Sequence, residues 1–111
     1  MTAQPARPTV AASREHAAAL HILGAPCLWA RARRFVSGAG EVDWLRLELA
    51  AGHWSYNDWL LVCAAHDLDD GTATAGLRSL CITLAPHALR RVLEAIAILR
   101  PDAAPPGGWS R

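Results

Sequence analysis

Three side chains near the middle of the chain, Cys63, His66 and Asp67, are of metal-binding type and fall within little more than one helical turn. A thiolate, an imidazole and a carboxylate so spaced could begin a zinc site, but zinc needs three or four ligands, usually supplied as regularly spaced pairs. The other candidates, His53, Cys27 and Cys81, form no CxxC, HxxxH or HExxH pattern. A buried cysteine near a helix-end histidine is the plainer reading, so no metal or other cofactor is expected. Asp67, Asp69 and Asp70 ahead of Gly71 have the composition of a calcium loop without its order, which sets acids at alternate positions before the glycine and closes on a glutamate.

Catalysis finds little else to use. The dipeptide His66-Asp67 occurs in metal-dependent phosphohydrolases, which need further His and Asp ligands from other helices, and this chain is short for such a site. There is no GxSxG elbow, no GxGxxG and no GxxxxGK[ST], and a chain without lysine has no P-loop lysine. With no convergent acid, base or nucleophile, an enzyme is not expected.

Two surfaces for macromolecules can be drawn. The run Trp29-Ala30-Arg31-Ala32-Arg33-Arg34-Phe35 interleaves bases with aromatics. Arg31, Arg33 and Arg34 could meet phosphates while the rings stack on bases, which makes a weak nucleic-acid-binding helical module the alternative function. The simpler account places Trp29 and Phe35 on an apolar stripe whose edge the arginines solvate. On the helix expected over 55–69, Leu60, Leu61, Ala64 and Leu68 share one face, while Trp59, Val62 and His66 take roughly the opposite one. A helix apolar on two sides must be covered on two sides. Trp59, Val62 and His66 are therefore the expected interaction face, covered either by another chain or from within by 14–23 or by Trp44 and Leu47.

The elements that carry these residues have clear ends. Ser13 caps a helix over 14–23 that stops at Gly24, and Pro26 opens a second that runs through Val36 to Ser37-Gly38. Asp43 caps 44–51, ended by Gly52; Ser55 caps the central helix, with Asp58 three places on. Leu45, Leu47 and Leu49 alternate with Trp44, Arg46 and Glu48, a period of two that admits a β-hairpin over 27–49 and an α+β fold. Helix-forming composition and scarce β-branched residues favour helices instead. The run 71–76 reads as a flexible link, and 77–84 as either a strand or one or two helical turns. A last helix from Pro86 to Arg100 sets Leu89, Val92, Leu93, Ile96 and Leu99 as its buried stripe, with His87, Arg90, Arg91 and Glu94 on its wet face. The expectation is an all-α fold, a compact bundle of four to five short helices.

Length and composition agree with one domain. The chain has 111 residues, with a formal charge of +1 from eleven arginines set against ten acids, too balanced for a general pull on nucleic acid or membranes. Residues 1–12 and 101–111, rich in Ala, Pro, Thr and Gly, read as disordered tails around a single helical domain at 13–100. Three cysteines, no apolar run of membrane-spanning length and no signal-peptide order at the start point to a soluble, cytoplasmic protein. The series Trp29 to Phe35, Asp43-Trp44, Trp54-Ser55 and Leu89 to Ile96 resembles the order in short bacterial proteins and implies a helical fold without an activity. The expected function is a small protein-protein interaction or accessory module, binding another protein or itself as a homodimer.

Overall fold

The computed structural model describes residues 13–71 and 75–103. Among them six α-helices surround one core, with no strand or sheet. The all-α expectation holds, with one helix more than four to five. The tails at 1–12 and 104–111 lie outside the described residues. Pro101–Ala103, expected to be tail, forms a 3₁₀ turn beside an exposed Arg100–Asp102 ion pair of 2.7 Å.

The starts of three helices follow from local hydrogen bonding. The Ser13 hydroxyl accepts the His16 N–H and opens α1 (Arg14–Leu23); an Asp43 carboxylate oxygen accepts from Arg46 and opens α3 (Trp44–Ala51); Ser55 accepts from Asp58 and opens α4 (Tyr56–Asp70). Each cap satisfies a donor that the first helical turn leaves without a partner. Gly71 ends α4 in the left-handed region at φ +75°, its N–H returning to the Asp67 carbonyl.

Between α1 and α3 the chain departs from the expected continuous helix. Helix α2 (Pro26–Ala32) tightens into a 3₁₀ turn at Arg33–Phe35 and ends there. Beyond it the backbone is drawn across to 41–43: Ser37 N–H meets the Glu41 carbonyl at 2.8 Å, Asp43 N–H meets the Phe35 carbonyl at 2.9 Å, and Val36 bridges antiparallel to Val42. Gly40 makes this return possible at φ +87°. The hairpin alternative therefore survives as one bridge, formed where two valines face each other, while both flanks are helical. The leucine alternation in α3 resolves the same way, because on a helix Leu47 turns inward and Leu45 and Leu49 turn out.

Helix α4 is the centre of the molecule. Leu60 through Ala65 are buried in succession, so α4 is covered on every side through its middle turns. Helix α1 packs most broadly against α4 and α6 (Pro86–Leu99), and α3 lies on another side of α4. Residues 77–84 settle as a short helix, α5 (Leu77–Thr83), anchored by Leu80 and Leu84.

The stripe on α6 is rotated from the expected one. Ala88, Val92 and Ala95 are buried, whereas Ile96 is 37% exposed. Helix α1 brings Ala18 and Ala19 to the core, and small residues let helices approach closely, so alanines take the contact and larger side chains sit beside it. Rotation also turns part of the expected wet face inward. Arg91 Nε donates to the His21 carbonyl at 2.7 Å, and Glu94 meets His21 Nε2 at 2.8 Å. The start of α6 is held from another helix, with Asn57 Oδ1 accepting the Ala85 N–H at 3.0 Å.

Candidate functional site

The face expected to meet a partner is closed from within. Val62 has no accessible surface, Trp59 is half-buried against the core, and His66 lies under α3. The His66 ring stacks on Trp44 at 4.5 Å between centroids and 10° between planes. Its Nδ1 stands 2.6 Å from a Glu48 carboxylate oxygen and its Nε2 stands 3.3 Å from Asp70. Trp44, one of the covers expected from within, lies on the His66 end of this face together with Glu48.

The same geometry disperses Cys63, His66 and Asp67 as a ligand set. Burial, with the Glu48 charge adding to it, pushes the Cys63 thiol up to about 11, so it is held as the neutral thiol when zinc takes the thiolate. Asp67 is exposed, and both His66 ring nitrogens face carboxylates. Among the described residues no group of three such side chains is placed to hold a metal ion.

A second imidazole cluster had no mark in the pattern of the sequence. His16 is buried on α1, with Nδ1 3.0 Å from Asp69 Oδ1 and Nε2 2.5 Å from the Gly40 carbonyl. Trp44 Nε1–H donates to the other Asp69 oxygen at 2.8 Å. One carboxylate at the end of α4 thus gathers α1 and α3, while the His16 ring also grips the turn that leads into α3. The only available signal was a histidine among the buried alanines of α1, which by itself names no partner.

Arginines expected to act together are separated. Arg31 donates through Nη2 to the Cys27 carbonyl at 2.9 Å and to the buried carboxylate of Asp58, and its guanidinium lies 5.0 Å from the centroid of Trp54. Asn57 Nδ2 donates to the second Asp58 oxygen at 3.2 Å. Arg31 therefore ties α2 to α4. The adjacent Cys27 thiol is raised by burial and by the Asp58 charge. Arg33 and Arg34 point to solvent; Arg34 lies 5.7 Å from the Phe35 ring, and neither has a carboxylate partner among the described residues.

These ties leave an apolar ridge facing outward on α3. Leu45 is 72% and Leu49 67% exposed, one turn apart on α3, with the exposed Arg46 beside them. A groove runs between α3 and the 3₁₀ turn. It comprises a depression of about 340 Å³ walled by Arg34, Phe35 and Arg46, and one of about 180 Å³ walled by Arg34, Phe35, Ala50 and Trp54. The arrangement sets an apolar ridge beside a groove lined by both arginines and acids, on a frame held by polar contacts to α1 and α4. No family model, curated protein or solved structure matches the chain.

Proposed function

We propose that this chain is a small helical protein-interaction module whose contact surface is the outer face of α3. The observation that carries the reading is the exposed pair Leu45 and Leu49. Single exposed leucines are ordinary on protein surfaces. Two of them stacked at i, i+4 form a ridge of the kind an apolar groove receives, and covering a leucine is worth about 1.5–3 kcal/mol. The ridge stands on a helix held at both turns by side chains that contact α4, through Trp44 to Asp69 and Glu48 to His66. A frame fixed in advance lowers the ordering cost of association.

A binding role also fits the state of the histidines. Both ring nitrogens of His16 and of His66 face oxygen acceptors, which leaves these two rings poorly placed to take a proton from a substrate. The reading assigns no catalytic residue and no cofactor. Three cysteines outside any disulfide suit a reducing, cytoplasmic setting, and no helix among the described residues is long and apolar enough to cross a membrane.

A photo-crosslinking residue placed at position 49, in cells that make the protein, tests the reading. A discrete crosslinked product is expected from position 49 and none from the same residue at Arg78 on α5. Light scattering on the purified chain tells a second copy from a different partner. A monomer that yields no product from position 49 overturns the proposal. The alternative, nucleic-acid binding through Arg31, Arg33 and Arg34, keeps two exposed arginines near Phe35 but has Arg31 committed to Asp58. A salt-dependent oligonucleotide shift lost in Arg33→Glu/Arg34→Glu would favour it.

A further inference from the structure

We infer that the groove between α3 and the 3₁₀ turn receives an acidic peptide segment bearing apolar side chains, contributed by a partner protein. The inference rests on the interaction reading above and names the partner's chemistry.

The two depressions adjoin along α3: Arg34 and Phe35 line both, and α3 supplies Arg46 to the first and Ala50, one turn on, to the second. Their lining is amphipathic. Phe35, Val42 and Trp54 are half-buried and offer apolar contact. Arg34 and Arg46 stand exposed on opposite sides, and neither has a carboxylate partner among the described residues. Guanidinium groups bind carboxylates through paired N–H donors, and such charge-assisted bonds are about twice as strong as neutral ones.

The acids already in the groove narrow the choice of occupant. Glu41 lines the first depression and is itself engaged, while an Asp43 oxygen accepts the Arg46 backbone N–H. A continuous phosphodiester backbone would run its charge past both carboxylates. A peptide can set its acids opposite Arg34 and Arg46 alone and place apolar side chains on Phe35 and on the Leu45–Leu49 ridge, which Arg46 adjoins.

The test is selection of a random 16-residue display library on the full chain, followed by titration of the enriched peptides. Enrichment of peptides that carry several Asp or Glu among Leu or Phe is expected. Their affinity should fall at least tenfold in Arg34→Glu/Arg46→Glu, and also in Leu45→Ser/Leu49→Ser, with helicity by circular dichroism unchanged in both variants. Enrichment of neutral or basic peptides that need the leucines but not the arginines overturns this inference and leaves the interaction reading standing. No enrichment at all overturns both. If instead (dT)15 or vesicles of phosphatidylglycerol bind, and Arg34→Glu/Arg46→Glu abolishes that binding, the groove is a phosphate site and the peptide inference falls.

Discussion

His16 and Asp69 lie 53 positions apart in the chain and 3.0 Å apart in the fold. The contact joins the first turn of α1 to the last turn of α4, and Asp69 holds Trp44 on α3 with its second oxygen. The other His16 nitrogen faces the Gly40 carbonyl, an acceptor in the turn that leads into α3. Three helices and one turn therefore converge on a single carboxylate.

Neighbouring aspartates should then behave differently. Asp69→Ala leaves the buried His16 ring and the half-buried Trp44 N–H without their shared partner and is expected to cost about 3 kcal/mol, the scale for breaking a buried pair. Asp70→Ala removes a carboxylate that is 45% exposed and should cost under about 1 kcal/mol. Urea unfolding of the two variants makes the comparison; equal midpoints would remove the central role given to Asp69.

The arginine run should divide in the same manner. Arg31→Ala leaves the buried Asp58 without its ion-pair partner and should lower stability by about 2–4 kcal/mol, whereas Arg33→Ala should change it by less than about 0.5 kcal/mol. Adding Asp58→Asn to Arg31→Ala should recover part of the loss, since the stranded charge is then gone. A thermal shift series reads all three.

Val62→Glu separates the covered face from an open one. Val62 has no exposed surface, so a carboxylate there is expected to cost more than about 4 kcal/mol and to prevent stable folding. Leu45→Glu and Leu49→Glu should fold normally, because both positions face solvent. Circular dichroism melts decide it, and a well-folded Val62→Glu protein would return Trp59, Val62 and His66 to the surface.

Cysteine chemistry gives a pH dependence with a definite sign. Burial raises the Cys63 thiol from its ordinary 9.0 to about 11, so between those values the unfolded chain loses a proton that the folded chain keeps. The contribution to stability is complete below pH 9 and is lost as pH climbs toward 11. Cys63→Ala should flatten that decline in a urea series from pH 8 to 11. In the folded protein at pH 8 an alkylating reagent should label the exposed Cys81 first and Cys63 last, as peptide mass mapping would show.

Helix starts were legible because their causes are local. Ser13, Asp43 and Ser55 each accept an N–H three residues on, and that contact depends on nothing beyond the first turn. Glycines 24, 52 and 71 follow the last helical residue for the same kind of reason. The sequence also showed that the central helix is apolar on two sides, which made a two-sided cover necessary.

Which residues supply that cover was decided by the tertiary structure. A helical wheel records the composition of a face and not what lies against it, so Trp59, Val62 and His66 read equally well as interface or as core until Trp44 and Glu48 were seen on His66. The end of α2 depends on backbone bonds to residues 41–43, and the rotation of α6 depends on the alanines of α1. Arg31 and Asp58, like His16 and Asp69, gain their roles from partners far along the chain, and no local spacing encodes such a pairing. By itself the sequence determined where most helices begin and end. Packing determined which side of each is hidden, and so left Leu45, Leu49 and the Arg34–Arg46 groove facing solvent.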